Sequence, residues 1–374
     1  MKKITALLIP VILLSACREN NPPPPPPPTS YDVITTGVLI DINTPSIKPG
    51  YWVGKEWHAL QADNTQQAFP YGLTRHAQSL IIAGGYEGEH PQTGNNILLP
   101  CIWRNGLMIK LPVSELSVTD RCSASDVVWY NDALYVLGDA DLEPVIWKID
   151  GEQYSIIPLP KNQHVTGRRK GSNLIIWNDR LCFAGNEQKQ TGDGLTYSAG
   201  YWSVGHDDHP SFTTIQDNLG YALCFAIAAR QDKLVITGEY GETGQNILPA
   251  LWTGTGLHLL SQQLQPNTQR TNEVMIDAKE NIWLNILDIQ PQYKPLLWKA
   301  RLSGTKELIS PDIPAQATGF CHNLATCDDQ IAYAYTYMYE GKRHACVKSN
   351  DGTDTLDLKN QSDVTLYRTA IFPR

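Results

Sequence analysis

Apolar residues in this chain come in short runs cut by turn residues, without a helical period. The run Asn246-Ile247-Leu248-Pro249-Ala250-Leu251-Trp252 shows the pattern. It ends in Trp, a turn follows at Thr253-Gly254-Thr255-Gly256, and a second apolar run spans Leu257 to Leu260. Upstream lies Leu234-Val235-Ile236-Thr237-Gly238. Short apolar runs bounded by Gly, Asn and Asp read as strands joined by tight turns.

The same arrangement recurs along the chain. Its anchors are Pro49-Gly50-Tyr51-Trp52, Pro100-Cys101-Ile102-Trp103, Pro144-Val145-Ile146-Trp147, Ala199-Gly200-Tyr201-Trp202, Pro249-Ala250-Leu251-Trp252 and Pro295-Leu296-Leu297-Trp298. A seventh, Ala345-Cys346-Val347-Lys348, has lost the Trp. The anchors are spaced by 51, 44, 55, 50, 46 and 50 residues. A strand ending in Gly precedes most of them, as in Leu80-Ile81-Ile82-Ala83-Gly84 and Leu134-Tyr135-Val136-Leu137-Gly138. Copies six and seven lack that Gly. Before it lies another apolar strand and a tight turn such as Asn131-Asp132 or Asn178-Asp179, whose residues tolerate left-handed backbone.

Each unit therefore predicts four short antiparallel strands, the pattern of a β-propeller blade. One blade cannot bury both of its faces; stacking blades around an axis does, with the Trp rings between them. The first copy starts at its Gly-ended strand, Tyr31 to Gly37, and lacks an inner strand. One strand, Val364 to Phe372, is left over at the C-terminus. Placed as the inner strand of blade one, it closes a seven-bladed ring and removes two open sheet edges. The expected fold class is an all-β, seven-bladed propeller over residues 31–374. It resembles Kelch-like propellers, and more closely the Trp-repeat propeller lipoproteins of Gram-negative bacteria. Gly84-Gly85 resembles the Kelch diglycine, while other copies carry one Gly or none.

The first thirty residues change the picture. Lys2 and Lys3 precede an apolar core, Ala6 to Leu14, too short to span a bilayer. Leu14-Ser15-Ala16-Cys17 follows. Residues 1–17 resemble a bacterial lipoprotein signal, which implies cleavage just before Cys17 and lipidation of Cys17 as the new N-terminus; an ordinary secretory signal is the other reading. Arg18 after the Cys implies, by the same resemblance, an outer-membrane location. Residues 18–30 hold seven consecutive prolines, Pro22 to Pro28. They form a stiff polyproline II spacer of about 3.1 Å per residue.

Composition narrows the partners. The formal charge is −8, or −10 without Lys2 and Lys3, and only 18% of residues are charged. With no basic patch, nucleic acid is not expected as a partner.

The turns on one face of the ring are short, and the connections on the other are long: 85–96, 186–198, 239–246 and the links at 113–124, 159–171 and 261–271. Long loops on a rigid scaffold are where propellers bind. Tyr86 and Glu87 in one of them, and Tyr240 in another, read either as rim contacts for a ligand or as shared ancestry of blades two and five. The start of each inner strand on this face brings Tyr71, Asp126, Asn173, Glu273 and His322 to the channel mouth, with Ser125, Ser172, Asn272 and Asn323 beside them. Arg270 and Arg168, Arg169 and Lys170 lie on incoming loops. Such a ring binds a polar ligand or merely lines a solvated channel. Asp126 and Glu273 are the two carboxylates that could work on a glycosidic bond.

Other motifs do not carry chemistry. His206-Asp207-Asp208-His209 falls in the short turn after Trp202. Asp139 to Glu143 and Asn350 to Asp354 lack a complete calcium loop. There is no Gly-x-Ser-x-Gly, His-Glu-x-x-His or P-loop; no metal and no cofactor is expected. Seven cysteines remain in the body, and Cys101 with Cys122 is the expected disulfide, since an envelope location permits one. Cys321 and Cys327 are too far apart on one strand to pair. The function expected is a membrane-anchored envelope module that binds a protein or glycan without catalysis; the alternative is a carbohydrate-active enzyme, glycosidase or lyase, at the channel mouth.

Overall fold

The computed structural model describes residues 30–374 except 42, 45, 63–66, 117, 142, 160–172, 192–193, 217–220, 242–246, 255, 260–268, 289–295, 302–305 and 360–362. The leader, Cys17 and the spacer to residue 29 lie outside the described residues.

Seven four-stranded antiparallel sheets form the ring. Blade 1 holds β1 (Tyr31–Asp41), β2 (Ser46–Val53) and β3 (Glu56–Ala59). Blade 2 holds β4 (Ala68–His76), β5 (Ser79–Glu89), β6 (Asn96–Arg104) and β7 (Leu107–Lys110). Blade 3 holds β8 (Cys122–Tyr130), β9 (Ala133–Ala140), β10 (Glu143–Asp150) and β11 (Gln153–Ile157). Blade 4 holds β12 (Leu174–Trp177), β13 (Arg180–Thr191), β14 (Gly194–Val204) and β15 (Pro210–Gln216). Blade 5 holds β16 (Tyr221–Arg230), β17 (Lys233–Gly241), β18 (Leu248–Thr253) and β19 (Gly256–Leu259). Blade 6 holds β20 (Gln269–Ile276), β21 (Asn281–Asp288), β22 (Leu296–Arg301) and β23 (Lys306–Ile309). Blade 7 holds β24 (Thr318–Cys327), β25 (Gln330–Tyr339), β26 (Lys342–Ser349) and β27 (Gly352–Thr355). The last strand, β28 (Asp363–Pro373), pairs with β1 as the inner strand of blade 1 and packs against β24 and β4 on either side. The ring closes as the repeat predicts.

Glycine and Trp act together in the repeat. In blade 3, Gly138 pairs with Ala124 on the inner strand, and Trp147 sits two residues away in register. A Cβ on Gly138 would stand 2.0 Å from the Ser123 carbonyl and 2.6 Å from the Trp147 ring. The bare backbone lets the inner strand and the indole close over the same spot. The Trp rings are also tied to the preceding blade. Trp52 donates to the Asp357 carbonyl (2.9 Å), Trp103 to that of Gln61 (2.7 Å) and Trp147 to that of Pro112 (2.9 Å). Trp52, Trp103, Trp147 and Trp202 are fully buried. At about 25 cal/mol per Å² and roughly 150–250 Å² of ring, each contributes several kcal/mol. Lys348 occupies the Trp register of blade 7, opposite Tyr333.

The tight turns use left-handed residues: Asn131 and Asp132 (φ 47° and 59°), Asn178 and Asp179 (φ 48° and 56°). Two expectations about the opposite face are corrected. The described residues of the stretch 186–198 are strand rather than loop. Asn186 to Thr191 pair with Ala199 to Gly194, so β13 and β14 project as a hairpin arm. Tyr86 and Glu87 likewise sit inside β5, and Tyr240 inside β17, because ladder bonds continue past the glycine. The Cys101–Cys122 disulfide does not form: both thiols are buried and free, packed in one hydrophobic cluster between blades 2 and 3. Burial pushes both thiols above the usual range.

Candidate functional site

Among the described residues, six inner strands carry a β-bulge at the same depth. The extra residue is Tyr71 in β4, Ser125 in β8, Phe225 in β16, Asn272 in β20, His322 in β24 and Tyr367 in β28. A bulge bends its strand and re-aims the next side chain. The residue after it defines one axial position per blade: Gly72, Asp126, Ala226, Glu273, Asn323 and Arg368. Asn173, just before β12, takes the same place in blade 4.

From this position the side chains reach sideways to the next blade. Asp126 Oδ2 accepts from Leu174 N (2.8 Å), and Glu273 Oε2 accepts from Leu324 N (2.6 Å). Asn173 Oδ1 accepts from Ile227 N (2.9 Å) while its Nδ2 donates to Ile227 O. Asn186 and Asn285 add parallel clasps: Asn186 Oδ1 accepts from Cys224 N (2.8 Å), and Asn285 Nδ2 donates to Cys321 O (3.1 Å). Small residues make room for this. A Cβ on Gly72 would lie 2.6 Å from Asp126 Oδ1.

Arg368 crosses the axis at this level. Its Nη1 donates to Glu273 Oε1 at 2.6 Å, and its Nη2 stands 3.7 Å from Asp126 Oδ2. Blade 1 is thereby joined to blade 6 on one side and blade 3 on the other. Asp126 and Glu273 are 3% and 2% exposed. Burial pushes both carboxyls up, against the pull of the Arg368 charge and the backbone N–H groups; Glu273 is raised to about 7, and the charge of Asp126 adds to its rise.

The residues expected at the mouth thus divide by depth. Asp126, Asn173 and Glu273 lie at mid-strand as clasps. Tyr71 and His322 are bulge residues one step nearer the long-loop face. His322 Nε2 is 2.8 Å from Thr336 Oγ1. Arg270 lies at the start of β20, and its side chain is outside the described residues, as are Arg168, Arg169 and Lys170. Tyr86 is buried under Lys110, whose Nζ is 4.9 Å from the ring centroid. Tyr86 and Tyr240 occupy equivalent registers, each two residues past the paired Gly84 or Gly238. Glu87 points to the opposite face of β5 from Tyr86. His206 meets Asp179 (2.7 Å), joining the two turns of blade 4, and Asp208 binds Lys148 (2.6 Å) on blade 3, so the turn motif ties turns and blades together. Asp141 accepts from the backbone N–H groups of Thr119, Asp120 and Arg121, organising its loop. Among the described residues, no three His, Cys, Asp or Glu side chains gather as metal ligands.

Four residues near the axis escaped the sequence reading: Arg368, Tyr367, Phe69 and Phe320. Tyr367 meets Tyr71 edge-on (centroids 5.0 Å, planes 87° apart). Phe69 lies parallel to Tyr71 at 6.3 Å, and Phe320 is 4.5 Å from His322. Phe69, Phe320 and Tyr367 are partly exposed. A charged residue inside an apolar strand was the available signal for Arg368.

The fold and site together define a seven-bladed β-propeller with a charged axial layer. No family model matches the sequence, and no curated protein matches it. Solved structures share the fold. The β-propeller domain of the Trilobed protease from Pyrococcus furiosus is 9% identical with a TM-score of 0.53, covering 88% of this chain and 93% of that one. That domain has an open velcro topology; here β28 is hydrogen-bonded into blade 1. Weaker likenesses include a post-proline cleaving enzyme from Rickettsia typhi (9%, TM-score 0.48, 91% and 53%). Another is an α-L-arabinofuranosidase from Clostridium thermocellum (10%, TM-score 0.35, 65% and 94%). At these identities the likeness concerns fold alone.

Proposed function

We propose that this chain is a lipid-anchored envelope protein whose propeller is a non-enzymatic binding module, with its ligand face on the side of the long connections. One observation carries the choice of binding over catalysis. All four oxygens of Asp126 and Glu273 are engaged. Val127 N and Leu174 N donate to Asp126, Leu324 N and Arg368 to Glu273. A general acid or base must point an oxygen at the substrate atom whose proton it moves, and each of these oxygens points at a backbone N–H or at Arg368. These carboxylates instead hold blades together. The anchoring part of the proposal rests on the signal-like leader, Cys17 and the proline spacer.

The alternative of a glycosidase or lyase draws on one feature: Glu273 is raised to about 7, the range of an acid at neutral pH. The test combines two measurements. Labelled palmitate should enter the wild-type chain and not Cys17→Ala, which should leave the membrane fraction. The full chain on a glycan array and in envelope pull-downs should retain a ligand unchanged. Turnover of a bound glycan that Glu273→Gln abolishes would establish the enzyme instead.

A further inference from the structure

We propose that the axial mouth bounded by blades 7, 1 and 2 binds the end of a neutral saccharide chain. This deepens the binding-module reading and rests on it. The three inner strands there, β24, β28 and β4, are consecutive around the axis. They place five rings on one side of it. Phe69, Tyr367 and Phe320 form a partly exposed lip. Tyr71 and His322 are recessed behind them, each 8% exposed. Inner strands are covered on their flanks by neighbouring blades, so the exposure of this lip is toward the axial mouth.

Directly after His322 comes Asn323, at the depth of Arg368. It is 2% exposed, and unlike Asp126, Asn173 and Glu273 it makes no clasp to the next blade. Neither its Oδ1 nor its Nδ2 has a partner among the described residues. The Asn285 Oδ1, at 0% exposure beside the same bulge, is also without one. Buried amides that stay unsatisfied cost free energy, so an amide kept in this state points to a ligand group that completes it.

The ligand must therefore offer an apolar face to aromatic rings and, at one end, both a hydrogen-bond donor and an acceptor. A pyranose does this: its C–H face stacks and its adjacent hydroxyls pair with a carboxamide. Mostly apolar walls with few convergent polar groups are the usual make-up of a small-molecule site. The charged layer selects against other chemistries. The one guanidinium there, Arg368, is already paired with Glu273 and Asp126, so an anionic sugar or phosphate finds no free cation. An organic cation would suit the rings, yet the carboxylate oxygens are already engaged, and an alkylammonium leaves the Asn323 amide unmatched.

The experiment uses the full chain in a sugar-free detergent, titrated calorimetrically with neutral gluco-, galacto-, manno- and N-acetylglucosamine oligosaccharides. Tetramethylammonium and sialyllactose serve as cationic and anionic probes. The expected result is binding of at least one neutral oligosaccharide, weakened tenfold or more by Asn323→Leu and by Tyr367→Ala. Leu107→Ser, on the outer strand of blade 2, should bind as wild type. Melting curves of each variant separate lost binding from lost folding, and Phe320→Leu provides a milder change of the lip. No neutral saccharide binding, preference for either charged probe, or binding indifferent to these folded variants overturns the proposal. A defined protein ligand held by the long connections and insensitive to the mouth variants would overturn it too, while leaving the binding-module reading standing.

Discussion

Arg368 Nη1 lies 2.6 Å from Glu273 Oε1, joining the last strand of the chain to a blade five places round the ring in chain order. The same guanidinium faces Asp126 on blade 3. Closure of the ring therefore has two parts: the ladder of β28 on β1, and a buried charge layer pinned across the axis. Removing one partner of a buried ion pair typically costs about 3–5 kcal/mol, because the remaining charge is left uncompensated. Arg368→Met should lower unfolding stability by about that amount at pH 8, measured by denaturant titration. The triple variant Asp126→Asn, Glu273→Gln, Arg368→Met removes the charges together and should recover most of the loss. An Arg368→Met protein as stable as wild type would show that the ladder alone closes the ring.

The raised carboxyl of Glu273 makes stability depend on pH in a defined window. Its folded value is about 7 against an ordinary 4.5. Between those values the folded state holds a proton that the unfolded chain has released. The stabilisation from this proton is complete below about pH 4.5 and is lost as pH rises through 7. One such proton gives a slope of at most about −1.4 kcal/mol per pH unit. Asp126, raised by the same burial, acts in the same direction. Wild-type stability minus that of Glu273→Gln should fall from pH 5 to pH 7.5. A difference that stays flat or rises over that range would contradict this account of the axial layer.

Much of the fold was legible because its determinants are local. The Trp anchors recur at regular spacing, and Asn131-Asp132 and Asn178-Asp179 mark their turns directly. The spare C-terminal strand was legible as the piece missing from blade one. Depth within the site was not. A bulge adds one residue to a strand without altering its composition, so Asp126 and Glu273 could be assigned to the channel but not to its middle. Arg368 was missed because its partners are 95 residues away at Glu273 and still farther at Asp126. Only the closed ring brings them together. Tyr86 and Tyr240 read as loop residues because Gly84 and Gly238 looked like strand ends. Those glycines mark close approach of the inner strand, and the ladder runs on past them.

That reading of the glycines is testable at Gly138. The added methyl of Gly138→Ala would meet the Ser123 carbonyl at 2.0 Å and the Trp147 ring at 2.6 Å, so backbone and indole must both move. Overpacking of this kind costs about 1–3 kcal/mol. Thermal unfolding should register it, and Trp147→Phe in the same background should relieve part of the loss by shortening the ring. If the double variant is no more stable than Gly138→Ala alone, the indole is not the obstacle.

The sharpest contrast within the axial layer is between Asn173 and Asn323, the same residue at the same position of two blades. Asn173 satisfies both the N–H and the C=O of Ile227 on the neighbouring blade. Replacing it with Leu strands two buried backbone groups, each costing about 1–3 kcal/mol. Asn323 satisfies nothing among the described residues. Its replacement by Leu removes an unpaired amide and fills similar volume, and exchanging unsatisfied polar atoms for apolar ones is about neutral or stabilising. Asn173→Leu should therefore lower stability by about 2–6 kcal/mol, while Asn323→Leu leaves it within about 0.5 kcal/mol of wild type or above it. Denaturant unfolding of the two variants side by side decides the matter. Equal losses would mean that Asn323 is a structural clasp like the others, and that its amide is not reserved for anything that enters from the mouth.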